Sequence, residues 1–342
     1  MELADVILEL CAAAGPAGFE ESVSRLIEDK LRPYVDEIKS DVMGNLIAVK
    51  RCGKDNAPAV LLDAHMDEIG LMVTGHENGY LRFNSLGGID PRMLPAAEVT
   101  VLTEKPIYGV IDVMPPHALS SGDMSKALGI DDLYIDIGMS EDEAKAAVKV
   151  GTPCVYGCGA FRMGEDSVCG KSLDDRSCAA IIIKTMEALS KKESNVDIYC
   201  LFSVQEEIGL RGAVTGAFGV APDYAVILDV TFGKTPDVPE YKCLKMGGGP
   251  AIAVGPNTNR AFTRKIIDKA VSCGIDYQLE VLPGNSGTNA WAIQTSRMGV
   301  ATAIVSLPLK YMHSPVETCL VSDGEKIVNL LSEFLSDAGE VL

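Results

Sequence analysis

An α/β architecture follows from three features of this 342-residue chain: a mostly parallel sheet flanked by helices, with a small β-rich module inserted. Apolar runs of strand length alternate with helical-period stretches in its first and last parts. Between them, from Ile69 to about Arg162, the texture changes to short alternating strands with Gly and Pro between them. Hydrophobic residues make up 47% of the chain, enough for a sizeable core.

Residues 3–14 and 19–33 carry helical periodicity. "KSDVMGNLIAVK" (39–50) reads as a hairpin turning at Gly44-Asn45, and "APAVLLDAH" (57–65) as a buried strand. In the middle stretch "GYLRFNSLG", "AEVTVLT" and "IYGVIDV" are strands. One short helix interrupts them, with Ser140 and Glu143 as its capping box and Gly151 at its end. After Lys171 the α/β alternation returns. A helix follows over "LDDRSCAAIIIKTMEALS", then strands at "VDIYCLFSV" and "DYAVILDV". A helix from about Asn259 to Cys273 precedes a strand near "YQLEVL", a helix after "GNSGTNA" and the strand "VATAIVS". Ser322 and Glu325 have capping-box spacing for the last helix. The expected organisation is one discontinuous α/β domain, 1–68 with 163–342, and an inserted β-rich domain, 69–162.

The net charge of −18 argues against nucleic acid or an anionic membrane as a partner, since both need a basic face. No apolar run reaches transmembrane length, and the opening stretch lacks the basic region of an export signal. Ten scattered cysteines, several in apolar runs (Cys11, Cys178, Cys200), read as small buried thiols of a cytoplasmic protein. Cys154 and Cys158 have no second pair at zinc-site spacing.

Ligands of open α/β sheets bind at the carboxyl ends of strands. There this chain places His65 and Asp67, Glu206 and Glu207, Asp229, and His313, with Asp174-Asp175 opening a helix. Each placement alone has an ordinary explanation: a solvated turn, an N-cap, a satisfied core histidine. Together they fit a pair of divalent ions, because His and carboxylate are ligands of zinc, cobalt or manganese. A bridging carboxylate, with one carboxylate and one His on each side, makes a compact di-metal centre. His65 and Asp67 share a face of an extended segment, so Asp67 can orient the imidazole. Of the adjacent glutamates, Glu207 can ligate while Glu206 faces the water to be activated.

The stretches "DAHMDEIG", "KSLDDRS", "VQEEIGLRGA", "ILDVT", "GGGPAI", "SGTNAWAI" and "YMHSPVE" carry a resemblance over essentially the whole chain. The sequence resembles the cytoplasmic metallo-aminopeptidases of the tetrahedral (TET) type, a glutamyl-aminopeptidase-like group with a zinc-peptidase-like fold; some members have been labelled endoglucanases. The resemblance implies that Asp174 bridges two ions, that His65 and Asp229 complete one site, and that Glu207 and His313 complete the other. It implies Glu206 as general base and acid, Asp67 as the residue orienting His65, and a cis peptide bond after the bridging aspartate. The β-rich insertion resembles the family's dimerisation module, with dimers assembled into dodecamers. Where the family usually has aspartate, this chain has Asn289, which keeps the helix-capping ability and loses a charge. If that position helps hold a substrate amine, substrate preference changes.

The expected function is therefore a di-metal aminopeptidase that removes N-terminal residues from peptides. Its ions would be zinc or cobalt, with manganese a third candidate, and Glu206 would activate a water between them. The alternative is a di-metal deacylase or amidase on non-peptide substrates, which the same ligands would serve. A non-enzymatic assembly protein that keeps the fold would be expected to have a broken ligand set, and this one is intact. The preferred N-terminal residue is not legible, because its pocket is assembled from distant loops.

Overall fold

The computed structural model describes residues 1–118, 128–236 and 238–341. The eight helices are α1 (Leu3–Ala12), α2 (Glu21–Leu31), α3 (Glu141–Ala147), α4 (Leu173–Leu189), α5 (Arg211–Val220), α6 (Arg260–Ser272), α7 (Ala290–Ile293) and α8 (Val321–Val341) among the described residues. Eleven strands build the large sheet: β1 (Glu37–Ser40), β2 (Leu46–Lys50), β3 (Ala59–His65), β10 (Phe161–Met163), β11 (Ser167–Gly170), β12 (Asp197–Ser203), β13 (Tyr224–Phe232), β14 (Ala251–Val254), β15 (Gln278–Val281), β16 (Ala301–Lys310) and β17 (Glu317–Leu320). Six more close a separate barrel: β4 (Gly70–Glu77), β5 (Tyr80–Leu86), β6 (Glu98–Val101), β7 (Ile107–Asp112), β8 (Tyr134–Asp136) and β9 (Pro153–Tyr156).

The large sheet runs β1-β2-β12-β3-β13-β16-β17-β11-β10, with β14 also on β16 and β15 on β14. Its centre, β12-β3-β13-β16, is parallel. The flanks are largely antiparallel: the β1-β2 hairpin lies on β12, and β16-β17-β11-β10 follow one another antiparallel. The sheet is thus mixed, and the expected parallel pairing holds for its centre. In the β1-β2 and β10-β11 hairpins the strands are short and joined by tight turns, which cannot make the crossover that parallel pairing requires. The β1-β2 turn is held by Asp41, whose Oδ1 accepts from the backbone N–H of Met43, Gly44 and Asn45.

The central strands are buried on both faces, as their continuous apolar runs imply. Leu62, Phe202, Val226 and Val305 face α1, α2, α4 and α8, whereas Leu61, Leu201, Ile227 and Ile304 face α5 and α7. This period-two division fixes the register. It also decides which polar residues at the strand ends share a side: His65 continues the Leu61 face, and Asp229 the Ile227 face.

The barrel has its own core, including Val73, Leu81, Phe83, Val99, Ile111 and Ile135. Its short helix α3 has the expected capping box, with Ser140 N donating to Glu143 Oε2 at 2.9 Å. The last helix differs from expectation. It begins at Val321, and Ser322 turns to Asp166 instead of Glu325, donating through its backbone N (2.9 Å) and its hydroxyl (2.5 Å). The Asp166 carboxylate satisfies these donors at the helix start. No helix among the described residues is long and apolar enough to cross a membrane.

Candidate metal centre

Every residue singled out for the site comes to the carboxyl ends of the parallel strands. His65 is the last residue of β3, Glu206 and Glu207 follow β12, and Asp229 lies near the end of β13. His313 follows β16, and Asp174 lies at the start of α4 with non-helical backbone angles. The Asp174-Asp175 peptide bond is cis.

Asp174 sits between the two histidines. Its Oδ1 is 3.1 Å from His65 Nε2, and its Oδ2 is 3.2 Å from His313 Nε2. Glu207 Oε1 is also 3.2 Å from His313 Nε2. Two donor sets result. In one, donor atoms of Asp174, Glu207 and His313 lie within 4.8 Å of one another; in the other, those of His65, Asp175 and Asp229 do. Glu206 and Glu207 each also bring an oxygen within that distance of a His65 nitrogen. Asp175 enters beyond expectation: Asp175 Oδ1 is buried with no hydrogen-bond partner, and Oδ2 accepts from the His65 backbone at 3.3 Å.

Asp67 meets His65 more closely through its backbone carbonyl than through the carboxylate expected to orient the imidazole. His65 Nδ1 lies 3.0 Å from the Asp67 backbone carbonyl and 3.4 Å from its carboxylate. That carboxylate accepts from the backbone N–H of both Glu206 (2.9 Å) and Glu207 (3.1 Å). One buried side chain thus ties the end of β3 to the two glutamates. The tie is charge-assisted, which makes it stronger than a neutral one.

The electrostatics are those of a cation site. Burial, with Glu207, Asp174 and Asp67 nearby, pushes the Glu206 carboxyl up to about 8 against the opposing effect of His65. Burial, with Asp175 and Asp174 beside it, holds Asp229 well above the usual carboxylate range. Burial would lower His313, but its bonds to Asp174 and Glu207 outweigh that and raise it to about 11. Without cations the cluster can persist only by taking up protons on acids and imidazoles alike. Divalent ions meet the same demand with the carboxylates ionised.

Three supporting residues had not been singled out. Glu317, 1% exposed, accepts from the backbone N–H of Asp174 (3.1 Å) and of His313 (2.7 Å), fixing two donors at once. Glu20 accepts from Gln205 N at 3.1 Å, beside Glu206. Glu68 accepts from Lys171 (2.7 Å) and Arg176 (2.9 Å) in a buried network under the site. Their only sequence signal was position: Glu317 ends "YMHSPVE", and Glu68 lies inside "DAHMDEIG".

Asn289 departs from expectation. It is 1% exposed and its side chain caps nothing. Its amide donates to Asp63 Oδ2 and Ser203 Oγ, both at 2.8 Å, beneath the metal donors. It is too deep to hold a substrate amine. An amide supplies the donors that the fully buried Asp63 carboxyl needs, and a second carboxylate would not.

The sequence profile of M42 glutamyl aminopeptidases matches residues 44–330. The lysyl aminopeptidase of Pyrococcus furiosus is 35% identical over 339 residues, spanning 97% of this chain and 96% of its own length. A TET aminopeptidase from a marine-sediment Thaumarchaeota archaeon matches with a TM-score of 0.93 at 30% identity, covering 98% of this chain and 96% of that one. The TET1 peptidase of Pyrococcus horikoshii, described as assembling into a tetrahedron or a large octahedral shell, matches with a TM-score of 0.85 at 32% identity, covering 98% and 99%.

Proposed function

The chain belongs to the M42 glutamyl aminopeptidase family, and from that premise we propose that it is a di-metal aminopeptidase trimming peptides from a free amino terminus. The observation that carries this is the Asp174 carboxylate, with one oxygen toward the Nε2 of each histidine. The donor set fits two divalent ions: neutral imidazoles, several buried carboxylates and the unpartnered Asp175 Oδ1. Asp174 would be shared, His65 and Asp229 would complete one site, and Glu207 and His313 the other. Zinc or cobalt suits such a mixed nitrogen and oxygen set, with manganese next. Ions held there supply Lewis-acid polarisation of a peptide carbonyl and a water of lowered pKa.

The chain's own residues do the rest. Glu206 takes the proton of the attacking water and returns it to the leaving nitrogen. Asp67 and Glu20 hold the backbone that aims Glu206. Glu317 fixes Asp174 and His313 by their backbones, so that their side chains are set before substrate arrives. A free terminal amine is attracted by carboxylates that the ions leave incompletely matched, and an acetyl cap removes that attraction. The test is mass spectrometry of one peptide, free and N-acetylated, digested by the metal-loaded enzyme. Stepwise loss of residues from the free form alone is expected. Equal cleavage of both forms would leave a di-metal amidase in its place.

We further assign the barrel, as part of a 69–162 unit, to dimer contact, with dimers as the building blocks of a larger shell. Tyr108 (58% exposed) and Val110 (37%) project outward from β7, which is unfavourable for apolar groups left in water. Sedimentation at micromolar concentration should show an assembly larger than the 36.3 kDa chain. Tyr108→Glu with Val110→Glu should shift it to smaller species. A wild-type monomer would remove this assignment. All ten cysteines are free, which suits the reducing cytoplasm.

A further inference from the structure

Arg176 is fully buried, and each of the five N–H groups of its guanidinium has an acceptor. Nε donates to the Met66 carbonyl at 3.2 Å. The terminal nitrogens donate to the carbonyls of Leu10 (2.9 Å), Ala13 and Gly15 (3.3 Å) and to the Glu68 carboxylate (2.9 Å). One side chain thus gathers the end of α1, the loop after it and the chain leaving β3.

These bonds bear on the metal donors from two sides. The backbone of Arg176 stands two residues after Asp174 and one after Asp175, just past the non-helical start of α4. Its side chain grips Met66, the residue between His65 and Asp67. β3 ends at His65, so Met66, Asp67 and Glu68 lie beyond the strand. Met66 is buried, and its carbonyl needs a partner there. Arg176 supplies it, and the Gly15 loop holds the rest. Glu68 N donates to the Gly15 carbonyl (3.1 Å), and Ala17 N to the Glu68 carbonyl (3.3 Å). Asp174 and His313 have a different support. Glu317 accepts from the backbone N–H of both, and the Gly88 carbonyl meets His313 Nδ1. None of those bonds involves Arg176.

We propose that Arg176 is a positioning residue for one of the two ions, the one assigned to His65 and Asp229. This rests on the di-metal reading above. By spanning from α4 to Met66, Arg176 sets His65 against Asp175, whose donor atoms lie with those of Asp229 in one set. The other ion, at Glu207 and His313, is left to Glu317 and Gly88. The two ion sites therefore have separate scaffolds. A lysine at position 176 keeps the charge but carries three donors on one atom, where arginine spreads five over a planar fork. It cannot hold Met66, Glu68 and the end of α1 together.

The test is calorimetric titration of the ion-free chain with cobalt, for wild type, Arg176→Lys and Gly15→Ala. The second substitution leaves every charge in place. A Cβ on Gly15 would stand 2.9 Å from Arg176 Nη2 and 2.7 Å from Val23 Cγ2, so the guanidinium is pushed aside. Each variant should bind two ions, one of them about 10- to 100-fold more weakly, as when other groups that orient metal ligands are lost. The other ion should be little changed. Glu317→Gln should weaken the ion that these variants spare. Excess cobalt should return most of the turnover to Arg176→Lys, which a defect of folding would not allow. Equal weakening of both ions, weakening of neither, a Glu317→Gln effect on the same ion, or failure of both variants to fold overturns the proposal while the di-metal reading stands. A wild-type chain that binds fewer than two ions overturns both.

Discussion

Glu206→Gln should keep its metal ions and lose about 10²- to 10⁴-fold in turnover, the usual contribution of a general base. That is roughly 3–5 kcal/mol of transition-state stabilisation. The amide is nearly isosteric, and the backbone N–H of residue 206 still donates to Asp67, so the local structure should persist. Glu207→Gln should behave oppositely. Its Oε1 stands with Asp174 against His313 Nε2, so losing the charge should release an ion. Metal content by plasma emission spectroscopy, beside kcat for each variant, separates the two roles. Metal lost from the 206 variant and retained in the 207 variant would exchange the assignments.

Stripping the ions with a chelator should abolish peptide cleavage and lower the melting temperature. An ion present at about 100 times its Kd stabilises the folded chain by about 2.7 kcal/mol. Two such ions in a chain of this length correspond to a shift on the order of 5–10 °C. The pH dependence has a definite sign. In the ion-free cluster the His313 proton is held up to about 11, above its unfolded value. The stability that this protonated His contributes is fully present below the unfolded pKa and is lost as pH rises through about 11. Ions must displace that proton, so metal affinity should rise with pH from 5 to 8, with protons released on binding. Calorimetry of metal binding in buffers of different ionisation enthalpy would register the release. Affinity that falls over this range, or full activity after chelation, would contradict the metal assignment.

The donors were legible because of where they stand: apolar runs end abruptly in His and carboxylate, and parallel strands gather those ends on one side. Asp174, Glu207 and His313 could therefore be named from the chain, and the structure brings them together. The supports were hidden because they act on backbone groups far away in sequence. Glu317 holds Asp174, 143 positions earlier, and Glu20 holds Gln205, 185 later. No spacing rule links such pairs. The large sheet was legible at its centre, whereas β10, β11, β14 and β17 were not. They are only three or four residues long and take their conformation from pairing with neighbours. Helix α5 was missed for the three glycines in "RGAVTGAFGV", which make it a poor helix former in isolation. Asn289 was misplaced because a residue that opens a helix was given a capping role, while the buried Asp63 took its amide.

The loop between β5 and β6 of the barrel reaches across to Glu207 and His313. A Cβ on Gly87 would stand 3.2 Å from Glu207 Cβ, and the Gly88 carbonyl lies 2.8 Å from His313 Nδ1. Once His313 is neutral, an imidazole that donates from Nδ1 has its lone pair on Nε2, the nitrogen turned toward Asp174 and Glu207. The barrel thus chooses the tautomer of a residue in the other half of the molecule. A chain trimmed of its barrel could keep the large sheet and still present His313 in the wrong protonic form. The insertion is consequently part of the arrangement at His313, and a replacement module would have to return a carbonyl to that one position.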